Sequence, residues 1–157
     1  MTKWEATSEV NEMTRSEKAL VVVLRFGGVL LLTAVIPAVM PFAWMDLIHR
    51  QLGMGELPET PITGYLTRSL SAFYALHGVL VLFVSLDVRR FLPVVKCLAA
   101  LCIVFGAGMT ILDVWVGMPL PWVLGEGPSI IVLGGVLLWL AGRVRSGPAI
   151  FSKESGA

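Results

Sequence analysis

Residues 19–44 read ALVVVLRFGGVLLLTAVIPAVMPFAW, with Arg25 as the one charge among them. A helix needs about 20 mostly apolar residues to cross roughly 30 Å of hydrocarbon, and this run exceeds that length. It also exceeds the roughly 7 to 15 apolar residues at the centre of a secretory signal peptide. The eighteen residues before it hold four glutamates, where such a peptide would be basic. A retained membrane helix is expected, with cleavage near Ala34, Ala38 or Ala43 as the alternative.

The rest of the chain repeats the pattern. Of 157 residues, 56% are hydrophobic and 15% charged, and the mean hydropathy is +0.82. These values exceed what a soluble domain carries and predict an all-α polytopic membrane protein, a four-helix transmembrane bundle. Spans are expected at about 19–44, 62–86, 92–116 and 128–144. The last run is short for a crossing, so its helix is expected to begin obliquely within PLPWVLGEG, residues 119–127. Residues 19–144 then form the transmembrane domain, with an N-terminal tail over 1–18 and a C-terminal tail over 145–157. A net charge of +1 without a concentrated basic face argues against a nucleic-acid partner.

The basic residues orient the chain. Lys3, Arg15, Lys18, Arg25, Arg89, Arg90, Lys96, Arg143, Arg145 and Lys153 fall at one end of the expected bundle, and only Arg50 and Arg68 at the other. The positive-inside rule then places both termini and the DVRRF turn in the cytoplasm of a cell whose inner membrane the protein crosses. The connectors around residues 45–61 and 117–127 face out.

Local signals agree with these boundaries. Thr14 to Glu17, TRSE, is a capping-box pattern, so the first helix starts in water before it enters the bilayer. Pro58 and Pro61 interrupt any helix between the first two spans, and Thr60 or Thr63 is placed to cap the second. Pro128 suits a first helical turn. Thr67, Ser71, Tyr74, Gly78 and Ser85 recur at intervals of four, three, four and seven, one stripe of small or hydroxyl-bearing residues that reads as a helix-packing seam. Cys102, Gly106, Met109 and Asp113 repeat the arrangement on the third span, and Gly27 and Gly28 offer a close approach on the first.

Ionisable groups are the best functional pointers in such a chain, because each is costly to bury. Arg68 opens the second span and Asp113 closes the third, each opposed to its own helix dipole at the same depth. That predicts a salt bridge between them, with Glu126 as the other acid within reach. His77 is the deepest titratable group, expected to face other helices beside Tyr74 and to bond a hydroxyl or carbonyl. Asp46, His49, Arg68, Asp113 and Glu126 make up a candidate outer-face polar cluster, rimmed by Trp44, Trp115 and Trp122. No catalytic residue, metal site or cofactor is predicted. Cys97 and Cys102 read as small core residues, and nucleotide-loop, GxSxG and HExxH patterns are absent.

The stretches RFGGVLLL, MPFAWMDLIHRQLGMGELP, YLTRSLSAFYALHG and GMPLPWVLGEGP resemble those of uncharacterised small four-helix membrane proteins of bacteria, whose plan is similar to that of DoxX-like proteins. The resemblance lies in overall plan and carries no site residue. It implies a small subunit associated with a membrane redox complex. On the residues alone the expected function is a non-catalytic accessory or interaction subunit, whose partners are the lipid bilayer and either another membrane protein or further copies of itself. A small carrier or channel is the alternative.

Overall fold

The computed structural model describes residues 13–144; the two predicted tails lie mostly outside these. Its helices are α1 (Arg15–Leu32), α2 (Val35–Val39), α3 (Phe42–Gln51), α4 (Pro61–Val84), α5 (Leu92–Val116), α6 (Leu120–Gly125) and α7 (Gly127–Ala141). Four stretches are long and apolar enough to cross a membrane: Arg15–Val39, Pro61–Val84, Leu92–Val116 and Leu120–Ala141. The protein is an all-α, multi-pass bundle. One end, here called proximal, holds the start of α1, the α4–α5 turn and the end of α7; the other is distal.

The ends of the helices follow local chemistry. Thr14 and Glu17 form the predicted capping box, the Thr14 N–H donating to Glu17 Oε2 at 2.7 Å and the Glu17 N–H to Thr14 Oγ1 at 3.2 Å. The first span begins at Arg15 and ends at Val39, earlier at both ends than the expected 19–44. Pro37 explains the internal break. Its ring would strike the carbonyl four residues back, at Thr33, and the helix is interrupted there between α1 and α2. The residues after Pro41 fold as α3, not as an irregular loop.

Thr60 caps α4, its hydroxyl accepting from the Thr63 N–H at 3.2 Å, with Pro61 in the first turn. Gly117, at φ 76°, closes α5: the Met118 N–H reaches Asp113 O and the Gly117 N–H reaches Val114 O, a Schellman arrangement that needs a left-handed residue. The fourth span starts at Leu120 through α6, as an oblique beginning predicts, and bends at Glu126 because Pro128 cannot continue an unbroken helix.

The helices pack as two close pairs, α1 with α4 and α5 with α7, and α1 also touches α7. Glycines set both contacts. A Cβ on Gly78 would lie 2.7 Å from Gly28 O, and one on Gly127 would lie 2.6 Å from Gly106 O. Of the predicted seam of α4, Ser71, Gly78 and Ser85 are buried along this interface, whereas Tyr74, one position from the Ala75 of the buried row, stands on a neighbouring face. Leu20, Leu24, Val81, Val84, Leu92, Val95, Ala99, Leu137, Leu140 and Ala141 build one core cluster, confined to the proximal half. Toward the distal end burial contracts to the seams inside each pair, and α4 barely touches α5. Phe26, Val39, Ile111 and Trp115 are among the large apolar side chains that face outward, as lipid contact requires.

Candidate functional site

The residues of the predicted polar cluster separate into three groups. In the first, Asp46 and His49 of α3 organise the connector that follows it. Asp46 Oδ1 accepts from the Leu57 N–H at 2.8 Å, and Asp46 Oδ2 accepts from Arg50 Nε at 2.9 Å. Arg50 also reaches Glu56 at 3.1 Å, and His49 Nδ1 donates to the Gly55 carbonyl at 2.9 Å. The Leu57 bond, then the Arg50 contact, holds the Asp46 carboxyl below the usual carboxylate range. These bonds fold a turn back on its own helix, and all of them are local.

Arg68 forms the second group, and here the expectation fails. It pairs with neither Asp113 nor Glu126: its Nη1 donates to the Ala38 carbonyl at 3.2 Å. The reason is its place around the helix. Arg68, Ser71, Ala75 and Gly78 lie at intervals of three, four and three, so Arg68 stands on the face of α4 turned toward α1 and α2. The carbonyls in the last turn of α2 have no intrahelical donor and carry the negative end of its dipole, and a guanidinium there satisfies both.

The third group is Asp113 with Glu126. Asp113 is 3% exposed, and its Oδ2 is buried without a hydrogen-bond partner. Gly106 and Asp113 share the face of α5 turned toward α7, where Gly127 sits against Gly106 and Thr110. Glu126, the residue before Gly127, is therefore held at the same junction, within electrostatic reach of Asp113 and of Tyr74. Tyr74 is half-buried. His77 is also half-buried and makes no hydrogen bond among the described residues, so the hydroxyl or carbonyl partner expected for it is not found. It shares a stripe with Tyr74, Val81 and Val84, and the last two of these enter the core cluster at the proximal end.

A pair that sequence reasoning missed lies at the proximal end. The Glu17 carboxylate, 1% exposed, accepts from Arg89 Nε at 2.7 Å and from Nη2 at 2.9 Å, across 72 residues of chain. The contact raises the Arg89 pKa above its ordinary value. The two were separately legible, one as a capping residue and the other as an interfacial cation. Their shared depth was the available signal.

Among the described residues no group of three or more His, Cys, Asp or Glu side chains is placed to hold a metal ion. Cys97 and Cys102 are free thiols; Cys97 is exposed and not the core residue expected, because it points off the α5 row of Val95, Ala99 and Gly106, whereas Cys102 is half-buried on that row. Comparison with known protein families, with curated proteins and with solved structures found no match.

Proposed function

We propose that this chain is a non-catalytic accessory or interaction subunit of a cell's inner membrane, with both termini in the cytoplasm. The observation that carries this reading is the unequal closure of the bundle. The core joins all four spanning segments at the proximal end only, while distally each helix pair packs on itself. Without a hydrophobic drive between helices in lipid, association depends on close packing and polar contacts. The distal half of α4 and the α6–α7 junction present both: Tyr74 and His77 on one side, the partly exposed Glu126 on the other. A helix of another membrane protein seated between them would complete the packing that the chain leaves open.

A photo-crosslinking residue placed at Tyr74 or His77 tests this in native membranes. The reading expects a discrete adduct with another polypeptide, and no such adduct from the outward-facing control position Trp115. Adducts with lipid alone from all three positions would refute it. Purification in mild detergent, with partners identified by mass spectrometry and a visible spectrum recorded, would show whether the partner is a redox complex, as the DoxX-like plan implies. Orientation rests on the distribution of basic residues. In a variant without Cys97 and Cys102, a cysteine at Glu56 or Gly125 should react with an impermeant reagent from outside and one at Arg89 should not; the opposite pattern refutes the proposed topology.

The Asp113 carboxylate favours a second reading, a small carrier. A buried, unpartnered acid is what a carrier uses to couple movement to an ion.

A further inference from the structure

We propose that Asp113 and Glu126 together hold one small monovalent cation at the distal end of the α5–α7 pair. Asp113 is the anomaly from which the argument starts. Buried acceptors in folded proteins nearly always have a donor, and one that lacks it requires an explanation, of which a bound ion is one. Asp113 Oδ2 has none, and the side chain is 3% exposed. Its own helix makes matters worse, since α5 ends within four residues and points the negative end of its dipole at the carboxylate.

Among the described residues no counter-charge meets the Asp113 carboxylate. Arg68, the cation at this depth, is engaged at Ala38 O on the other helix pair. The segments packed on α5 here are α6 and α7, which contain no ionisable side chain, and Glu126 between them is a second acid. From α4 the neighbour is Tyr74, whose phenol carries no positive charge. Two carboxylates held at one junction repel each other when both are charged.

A positive charge relieves the repulsion and supplies what Oδ2 lacks. The donors are hard oxygens, which suits a proton or an alkali metal ion. One positive charge suffices, because Glu126 is partly exposed and Asp113 is the group cut off from water.

The test uses the full chain purified in detergent, with thermal unfolding and Trp122 fluorescence as readouts; Trp122 lies beside Glu126. Sodium and potassium chloride are titrated at fixed pH against choline chloride, and pH is then scanned in choline alone. An alkali-ion occupant gives a saturable rise in Tm absent with choline, the unfolding constant falling about tenfold at about ten times the Kd. A proton occupant gives no alkali-ion effect but a Tm that rises as pH falls. Either response should vanish in Asp113→Asn, which keeps the shape and removes the charge, and weaken in Glu126→Gln. Two results overturn the proposal: a wild-type Tm that follows ion and pH in the same way as that of Asp113→Asn, or stabilisation by magnesium or calcium alone.

Discussion

Substituting Gly78 with alanine places a methyl group 2.7 Å from Gly28 O, 2.7 Å from Leu32 N and 3.1 Å from Leu31 C. All three atoms belong to the α1 backbone, so no side-chain rotation provides relief. Reaching the 3.4 Å at which ordinary contact begins requires α1 to withdraw from α4 by about 0.7 Å. Forcing extra volume into a packed interface costs about 1 to 3 kcal/mol. Alanine recovers about 0.5 to 1 kcal/mol over glycine inside a helix, which leaves a net loss of up to about 2.5 kcal/mol.

The neighbouring glycines supply the controls. A Cβ on Gly27 meets nothing within 4 Å, so Gly27→Ala should keep the helical gain and unfold slightly later than the parent. At Gly28 the nearest atoms, at 2.8 and 2.9 Å, belong to the Leu82 side chain, which can turn aside, so Gly28→Ala should fall between the two. Unfolding by heat or by sodium dodecyl sulfate in mixed micelles, followed by circular dichroism, gives the ranking. If Gly78→Ala proves as stable as Gly27→Ala, the helices do not approach as described.

Three further outcomes follow from the polar contacts. Glu17→Gln should lower the Tm in the same assay, because it removes two charge-assisted bonds from Arg89 at a position 1% exposed, while the Arg89 left behind can turn to solvent; an unchanged Tm would mean that the pair is effectively exposed. Asp46 has a folded pKa below its unfolded value, so its contribution is present above about pH 4 and is lost as pH falls through the folded value. Trp44 fluorescence should therefore report loosening of the α3 connector only in acid, and Asp46→Asn should remove that dependence. Finally, Arg68→Ala and Asp113→Asn should be additive within about 0.5 kcal/mol in a double-mutant cycle, since the two side chains serve different helix pairs; strong coupling would restore the salt bridge.

The spans were legible because hydropathy over about 20 residues is a large, additive signal, and the caps at Thr14 and Thr60 because they are local chemistry. The Arg68 partner was not. The dipole argument fixes depth along a helix and is silent about the direction around it, and two groups at one depth can face opposite ways. Direction was nevertheless present in the sequence: Arg68 continues the Ser71–Gly78 stripe, while Asp113 continues the Gly106 stripe of another helix. The unpartnered state of Asp113 was beyond reach, because it depends on where Arg68 and the α6 bend settle in three dimensions. The α3 helix was hidden by its length, since the 10 residues of Phe42–Gln51 carry too little apolar periodicity to separate them from a loop.

The distribution of polar groups follows from the way the bundle is closed. At the proximal end an acid as deeply buried as Glu17 is affordable because Arg89 meets it with two donors and a contiguous core surrounds the pair. At the distal end Asp113 is buried to a similar degree with neither advantage. Natural sequences satisfy packing and polar pairing almost everywhere and depart from them where something other than stability is being selected. A chain that builds a bidentate buried pair at one end has the means to place a cation beside Asp113 at the other. Instead it commits Arg68 to a backbone carbonyl and puts a second carboxylate, Glu126, at the junction. On the proposal argued above, a cation supplied from outside the chain is what offsets these two carboxylates.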